Sequence, residues 1–235
     1  MSNAWNPAPL QALLFDHDGT LVDSETGHWQ QWNQALAELG VSIDEADYSA
    51  HYAGLPTVNN AQRLLDTLLC ESESRKPPEQ RLTVQDLVAR KQAATRAYLQ
   101  GGAFPLMPGV REMLQFCQQA GLRMAIVTGA RQFVVEATLR FHGLEGVFET
   151  VVSADDVQHS KPHPACYLLA LQRMGLQASQ ALAVEDTQFG LAAAHGAGVA
   201  CVAIPTPLSA HHDFAKAVRV MESLGQLQRE LAQKS

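Results

Sequence analysis

The sequence predicts an α/β protein: a core built on a doubly wound, mostly parallel sheet, with an all-helical domain inserted into it. From Met107 onward, short apolar runs of strand length alternate with amphipathic helical stretches. Such alternation requires right-handed crossovers and a parallel sheet that is covered on both faces, a Rossmann-like arrangement. Residues 24–100, by contrast, show helical periodicity and contain no strand candidate. Because one apolar strand precedes this helical region, we interpret it as an insertion.

The domain boundaries follow from this contrast. Residues 1–22 and 103–235 are predicted to form the core, and residues 23–102 the helical domain. A chain of 235 residues is long enough for a core that carries a smaller insert. The chain leaves the core at Asp23, Ser24 and Glu25, which are therefore candidate hinge residues.

The elements of the first half are justified in chain order. The apolar run at residues 13–15 is the first strand, and it stops at Asp16. Apolar residues at three- and four-residue spacing predict helices over three stretches: 27–40, 59–69 and 82–100. The charged stretch 71–81, with two prolines, is predicted to be a solvent-exposed loop. A further loop is predicted to contain Tyr48, His51 and Tyr52 and to lead into the turn Gly54-Leu55-Pro56-Thr57.

The second half alternates between helices and strands. Helices are predicted at residues 110–120, 131–142, 160–175 and 187–198. Strands are predicted at residues 123–128, 147–156, 181–186 and 199–205. A Lys-Pro turn precedes the third of these helices.

Composition excludes several functional classes. The chain has 17 Lys and Arg against 24 Asp and Glu, a net charge of −7, which argues against a nucleic-acid partner. No apolar run approaches the length that spans a membrane, and residues 1–9 lack the regions of a signal peptide. The four cysteines lack CxxC spacing, which favours free thiols in a reducing cytoplasm. We therefore expect a cytoplasmic protein without a membrane partner.

Polar residues follow the predicted strands where the sheet should open. Asp16 and Asp18 follow the first strand and project to the same side, because side chains alternate along a strand. Thr128 ends a second strand, and Glu185-Asp186 end another, while Lys161 precedes a helix. Since parallel strands place their carboxyl ends on one edge, these groups are expected to meet there.

These residue types suit phosphoryl transfer. Converging carboxylates are costly unless a cation or a shared proton holds them, and hard oxygen ligands suit Mg²⁺. One carboxylate can attack phosphorus and form an aspartyl-phosphate, and a second acid can protonate the leaving alkoxide and then deprotonate water. A hydroxyl and a lysine can bind the remaining phosphoryl oxygens.

Other interpretations of the same residues remain open. Asp16 and Asp18 could cap and turn the chain, because Asp-Gly is an ordinary turn dipeptide. Thr128 could be a simple strand-end hydroxyl, Lys161 a solvated turn, and Glu185-Asp186 a pair at a helix N-terminus. Position 17 points away from its acidic neighbours, so His17 is treated as structural or solvated. Four further histidines are interpreted in the same way: His142, His195, His211 and His212.

Four stretches together resemble the motifs of the haloacid dehalogenase superfamily. In order they are DHDGTLVDSE, VTGAR, SKPHPACY and VEDTQFGLAAAHGAG. Within the superfamily the chain is similar to the beta-phosphoglucomutase and phosphoglycolate phosphatase-like branch, in which a helical cap follows the first motif. Each stretch is a weak signal alone, whereas four in sequence on the expected elements are a strong one.

The resemblance implies a role for each matching position. Asp16 matches the nucleophile and Asp18 the general acid/base, whose backbone carbonyl also binds Mg²⁺. Asp186 matches the metal-binding carboxylate, with Glu185 as a direct or water-mediated ligand. Phosphate binding is implied for Thr128, Lys161 and backbone amides after Asp16 and near Gly129. An Asp at position 18, where haloacid-cleaving members carry Tyr or Phe, favours phosphoryl transfer.

The resemblance also implies roles in the helical cap, which would close over the site, exclude water and select the leaving group. His28 and Lys91 match cap residues that the mutase branch uses near the general acid/base, although His28 could also be an ordinary helix-face residue. The loop Gly54-Leu55-Pro56-Thr57 matches the substrate-recognition loop. Ala53 and Thr57 stand where the mutase carries basic residues for a second phosphate, which favours hydrolysis of a monophosphate.

The predicted function is therefore that of a Mg²⁺-dependent phosphatase acting on a small phosphate monoester, a sugar phosphate or similar metabolite. A phosphomutase of the beta-phosphoglucomutase type is the first alternative. A non-catalytic binding module is the second, although the presence of Asp16 argues against it. The expected oligomeric state is a monomer or a weak homodimer.

Overall fold

The computed structural model describes residues 10–233, which divide into two compact units. One unit combines the chain up to Asp23 with the chain from Phe104 onward, and the other is Ser24–Ala103. The predicted absence of a signal peptide concerns residues 1–9, which lie outside the described residues. No helix in the described part of the chain is long and apolar enough to cross a lipid bilayer.

A six-stranded parallel sheet forms the centre of the first unit. Its strands are β1 (Ala12–Phe15), β2 (Arg123–Val127), β3 (Thr150–Val152), β4 (Ala181–Glu185), β5 (Ala200–Ala203) and β6 (Arg219–Val220). They lie in the order β3-β2-β1-β4-β5-β6, and every neighbouring pair is parallel. The predicted doubly wound α/β fold class is therefore confirmed.

The strands differ from prediction in two places. The strand predicted over 147–156 is limited to β3, because turns flank it on both sides. Residues 147–149 belong to the first turn, and in the second Ser153 N donates to Asp156 Oδ2 at 2.8 Å. Strand β6 was not predicted, because its two exposed residues carry no alternation of apolar and polar side chains.

The regular elements described in the second unit are all helices. Its helices are α1 (Glu25–Leu36), α2 (Glu45–His51), α3 (Thr57–Asp66), α4 (Cys70–Ser74) and α5 (Val84–Gln100). Two stretches predicted to be loops contain helices. In α2, Asp44 caps the N-terminus by accepting from Asp47 N at 2.7 Å, and Tyr48 is buried. In α4, Glu73 is buried and accepts from Leu82 N at 2.7 Å. This hydrogen bond links the two ends of the charged stretch.

Helices cover both faces of the sheet in the first unit. They are α6 (Val110–Gln119), α7 (Gln132–His142), α8 (Ala165–Met174), α9 (Gln188–Gly196) and α10 (Leu224–Ala232). Alternating side chains of β1 separate the two layers. Leu13 and Phe15 join the core cluster of α6 and α10, while Ala12 and Leu14 join that of α8 and α9. Helix α10 was not predicted, although Leu224, Leu227 and Leu231 have helical spacing.

Candidate active site

The candidate site lies at the carboxyl ends of β1 and β4, two adjacent strands in the middle of the sheet. Phe15 pairs with Val184, and Asp16 N continues the ladder by donating to Val184 O at 3.0 Å. The chain winds outward from β1 through β2 and β3 and then returns to β4 on the other side of β1. Such a reversal of strand order opens a crevice at the carboxyl edge of an α/β sheet.

Three buried carboxylates meet at this edge. Asp16, Glu185 and Asp186 each offer an oxygen atom, and these oxygens lie within 4.8 Å of one another. Asp16 follows β1, while Glu185 ends β4 and Asp186 follows it. Carboxylates this close repel one another strongly in a buried setting, so the cluster requires cationic partners.

Lys161 supplies one positive charge to this cluster. Its Nζ donates to Asp16 Oδ1 at 2.6 Å and to Glu185 Oε1 at 2.6 Å. The third donor goes to the backbone carbonyl of Val127, at 2.8 Å. With these three acceptors the ammonium is fully hydrogen-bonded, and its side chain is only 10% exposed. The interpretation of Lys161 as a solvated turn residue is therefore wrong.

The pKa values in the cluster follow from burial. Burial raises the pKa of Glu185 to about 7, although the Lys161 ammonium opposes the shift. The pKa of Asp16 is raised for the same reason, and the neighbouring Asp18 carboxylate adds to the shift. Burial alone would lower the pKa of Lys161, but Asp16 and Glu185 outweigh it and raise that pKa above its ordinary value. One ammonium among three carboxylates leaves negative charge that a divalent cation can neutralise.

Tyr167 is a member of the cluster that the sequence did not reveal. It lies on α8, is fully buried, and its Oη donates to Glu185 Oε1. The Lys161 Nζ lies 5.5 Å from the centre of its ring. Glu185 is thus held by both Lys161 and Tyr167. A tyrosine on the apolar face of a helix gives no sequence signal that its hydroxyl reaches a buried carboxylate of the candidate site.

Two glycines allow the backbone to approach the acids. Gly19 has a φ of +78°, and a Cβ atom there would lie 2.2 Å from Asp186 Oδ2. A Cβ atom on Gly190, in the first turn of α9, would lie 1.8 Å from Glu185 Oε2. Gly190 therefore makes room on α9 for the Glu185 carboxylate. A larger residue at either position would have to displace the neighbouring carboxylate.

Thr128 and Gly129 follow β2, which pairs with β1 on the side opposite β4. The register of Phe15 with Ile126 places Thr128 at the same edge of the sheet. Its Oγ1 accepts a hydrogen bond from Ala130 N at 2.9 Å, and its side chain is buried. Gly129 is exposed beside it. An accepting Oγ1 still carries its own hydrogen, which is the donor that a phosphoryl oxygen needs.

The Asp18 carboxylate does not belong to the three-carboxylate group. Its side chain is 24% exposed, and its Oδ1 lies 3.3 Å from His17 Nδ1. The sequence predicted that the carboxylates of Asp16, Asp18 and Asp186 share one point. The structure brings those of Asp16 and Asp186 together with Glu185 and places that of Asp18 beside His17. The expectation that His17 points away from its acidic neighbours is wrong, because its buried ring contacts Asp18.

The predicted cap residues lie in the helical unit. Lys91 on α5 is buried, and its Nζ lies 3.1 Å from His28 Nδ1 on α1 and donates to Gln31 Oε1 at 2.8 Å. His28 and Lys91 therefore belong to one polar cluster. Residues 54–56 lie in the segment that connects α2 to α3, and Thr57 is the first residue of α3. The roles of these residues in substrate recognition remain predictions.

Comparison with known proteins identifies the family. The sequence profile of the haloacid dehalogenase-like hydrolases matches residues 13–204, which include every candidate site residue described above. This chain belongs to the haloacid dehalogenase-like hydrolases. The superfamily predicted from the four motifs is thereby confirmed.

The hydrolase has similar relatives over most of its length. Protein CbbY of Cupriavidus necator is 34% identical over 92% of this chain and 86% of the relative. Fructose-1-phosphate phosphatase YqaB of Escherichia coli is 35% identical over 81% of this chain and 94% of the relative. Among solved structures, CbbY from Rhodobacter sphaeroides in complex with phosphate superposes with a TM-score of 0.79. It is 30% identical over 93% of this chain and 96% of its own.

Proposed function

We propose that this hydrolase is a Mg²⁺-dependent phosphatase that releases inorganic phosphate from a small sugar phosphate through an aspartyl-phosphate on Asp16. The chain is a phosphoric monoester hydrolase, the class to which the phosphatases among its relatives belong. The observation that carries the proposal is the buried cluster in which Asp16 meets two further acids and the ammonium of Lys161.

The donor set of the cluster supports Mg²⁺ as the cofactor. Asp16, Asp186 and Glu185 offer only carboxylate oxygens, the ligand type that Mg²⁺ prefers, and the resemblance adds the backbone carbonyl of Asp18. The charge of the cluster also suits a divalent cation, because one lysine does not neutralise three carboxylates. When bound, the cation would offset the repulsion between the Asp16 carboxylate and the phosphate oxygens.

The residues of the core divide the reaction into two displacements. An Asp16 oxygen attacks phosphorus, a bond from that oxygen to phosphorus forms, and the ester P–O bond breaks while Asp18 donates a proton to the leaving alkoxide. Water then attacks the aspartyl-phosphate, Asp18 takes its proton, and inorganic phosphate leaves with Asp16 regenerated. The Thr128 hydroxyl and amides near Gly129 bind the phosphoryl oxygens on which charge accumulates. Lys161 binds them too, by exchanging one of its three present acceptors for a phosphoryl oxygen.

The relatives support a sugar phosphate as the substrate. Their names include a fructose-1-phosphate phosphatase and a hexitol phosphatase, and a CbbY variant was solved with xylulose-(1,5)bisphosphate. We propose that the helical unit is the cap that selects the leaving group. His28, Lys91 and residues 54–57 would be its substrate-recognition residues. The mutase alternative is not favoured, because Ala53 and Thr57 offer no positive charge for a second phosphate.

Phosphate release from a panel of esters tests the function. The panel contains hexose and hexitol monophosphates, a ketose 1,5-bisphosphate and phosphoglycolate, each assayed with Mg²⁺ or with EDTA. We expect Mg²⁺-dependent phosphate release from at least one sugar phosphate, and restoration when Mg²⁺ is added back after EDTA. Absence of release from every ester, or equal rates in EDTA, would contradict the proposal. Conversion of a sugar 1-phosphate to its 6-phosphate, without phosphate release, would establish the mutase instead.

Gly19→Ala is expected to raise the Mg²⁺ concentration needed for half-maximal activity by at least about tenfold, the scale of loss when the support of a ligand is disturbed. The reason is that the new methyl group would have to displace the Asp186 carboxylate. Mg²⁺ titrations of phosphate release, together with thermal melts of the apo-protein, measure the effect.

Gly146→Ala is the matched control for this variant. Gly146 has a φ of +76°, so alanine there has a similar backbone strain, but no atom lies within 4 Å of the added methyl group. We expect the control to lose stability and to keep its Mg²⁺ requirement. Equal Mg²⁺ requirements in the two variants would show that the approach of Gly19 to Asp186 does not support the metal site.

A further inference from the structure

A chain of hydrogen-bonding side chains leads from α7 to the proposed general acid/base. The ring of His17 is completely buried, and its two nitrogens contact two different side chains. Its Nδ1 lies 3.3 Å from Asp18 Oδ1, and its Nε2 lies 3.1 Å from the Oγ1 of Thr138, which is also buried. None of the reaction steps described above uses His17 or Thr138.

The backbone around His17 is held as firmly as its ring. The carbonyl of His17 accepts from Leu21 N at 2.9 Å and from Val22 N at 3.0 Å. Gly19 N in turn donates to Val22 O at 2.8 Å, which closes the turn that carries Asp18. A ring that is anchored at its backbone and at Nε2 presents Nδ1 in a fixed direction.

Hydrogen-bond chemistry assigns the direction of each contact. An ionised carboxylate can only accept, so the contact with Asp18 requires the hydrogen on Nδ1. The Nε2 of the neutral ring is then an acceptor, and the Thr138 hydroxyl is the donor that it needs. A buried imidazole needs partners for both nitrogens, and Thr138 and Asp18 supply them.

We propose that His17 is a positioning residue for Asp18, and that Thr138 fixes the ring that performs this task. The Nδ1–H of His17 donates to Oδ1 of Asp18 and thereby directs the transferable proton to Oδ2. This inference rests on the proposed function, because it presupposes that Asp18 protonates the leaving alkoxide. It adds a specific arrangement of residues, Thr138–His17–Asp18, that orients the acid.

The choice of leaving group separates positioning from general structural support. An alkyl phosphate needs the acid, because its alkoxide is a poor leaving group, whereas 4-nitrophenyl phosphate loses a stable anion and needs it much less. The measured quantity is therefore kcat/KM for a sugar phosphate that the enzyme hydrolyses, divided by kcat/KM for 4-nitrophenyl phosphate. The fraction of correctly folded enzyme cancels from this ratio, so partial misfolding of a variant does not change it.

Two substitutions at position 17 test the donor. The amide nitrogen of asparagine can take the place of Nδ1, whereas that of glutamine takes the place of Nε2. We expect His17→Gln to lower the ratio by about tenfold, a modest part of the 10²–10⁴-fold that general acid catalysis contributes. His17→Asn should keep most of the ratio. An unchanged ratio in His17→Gln, or equal losses in both variants, would overturn the proposal.

Thr138 provides an independent test outside the catalytic residues. Thr138→Val keeps the shape of the side chain and removes the hydroxyl, so we expect the ratio to fall by about threefold, the scale of one lost neutral hydrogen bond. Thr138→Ser should restore it, and an equal ratio in the valine and serine variants would contradict the assigned role of Thr138. A wild-type enzyme that releases phosphate from neither ester would instead refute the proposed function itself.

Discussion

Asp16→Asn is expected to abolish phosphate release while the fold persists. The asparagine oxygen can still accept from Lys161, whose Nζ lies 2.6 Å from Asp16 Oδ1, so the packing of the site is preserved. An amide cannot act as the anionic nucleophile, however, and the aspartyl-phosphate cannot form. We expect kcat to fall by at least about 10⁴-fold, as when the nucleophile of a covalent enzyme is removed. Steady-state phosphate release and circular dichroism measure the two parts of this prediction.

Trapping the covalent intermediate gives a second measurement of the same mechanism. Wild-type enzyme that is quenched in acid during turnover should carry one added phosphoryl group on the peptide containing Asp16. The Asp16→Asn variant should carry none, and Asp213→Asn, which changes an exposed carboxylate of the same unit, should behave like wild type. An Asp16→Asn enzyme with near-normal rates would rule out this carboxylate as the nucleophile.

Lys161→Ala is expected to have the second largest effect, because it removes both the proposed phosphate-binding charge and the only ammonium seen on the carboxylate cluster in the described part of the chain. Leaving one partner of a buried ion pair unpaired costs about 3–5 kcal/mol. We expect the free energy of unfolding of the metal-free protein to fall by that amount near pH 8, and phosphate release to become undetectable. Denaturant unfolding in EDTA measures the stability.

The pH dependence of this destabilisation has a definite sign. The pKa of Glu185 is about 7 in the folded protein against an ordinary value of 4.5, and without Lys161 it should rise further. A carboxyl group with a raised folded-state pKa contributes its stability at low pH and loses it as the pH rises through that pKa. The deficit of Lys161→Ala should therefore be smallest near pH 4.5 and should grow through pH 7 and above.

Two controls distinguish the loss of this particular charge from a general effect. Lys216→Ala removes an exposed lysine of the same unit, and we expect its stability to remain within about 0.5 kcal/mol of wild type. Added Mg²⁺ should restore part of the stability of Lys161→Ala, because the cation neutralises the same carboxylates. A Lys161→Ala protein that is as stable as wild type in EDTA at pH 8 would show that the carboxylates do not depend on the ammonium.

Local patterns were sufficient to predict most of the fold. Strands β1 to β5 and helices α6 to α9 were predicted, because apolar periodicity and the glycine and proline breaks between elements are encoded residue by residue. The helices α2 and α4 were missed because capping by Asp44 and burial of Glu73 outweigh a polar local composition. The edge strand β6 is too short to show any periodicity.

The sequence by itself determined which residues reach the carboxyl edge of the sheet, because the end of an apolar strand is visible as a change from apolar to polar side chains. It placed Asp16, Thr128 and Glu185-Asp186 there. Only the tertiary structure decided which groups touch. Lys161 bridges two carboxylates that are 145 and 24 residues away along the chain, and His17 pairs with Thr138 across 121 residues. Such contacts depend on how helices pack against the sheet and on where each side chain points, and neither property is encoded in a local pattern.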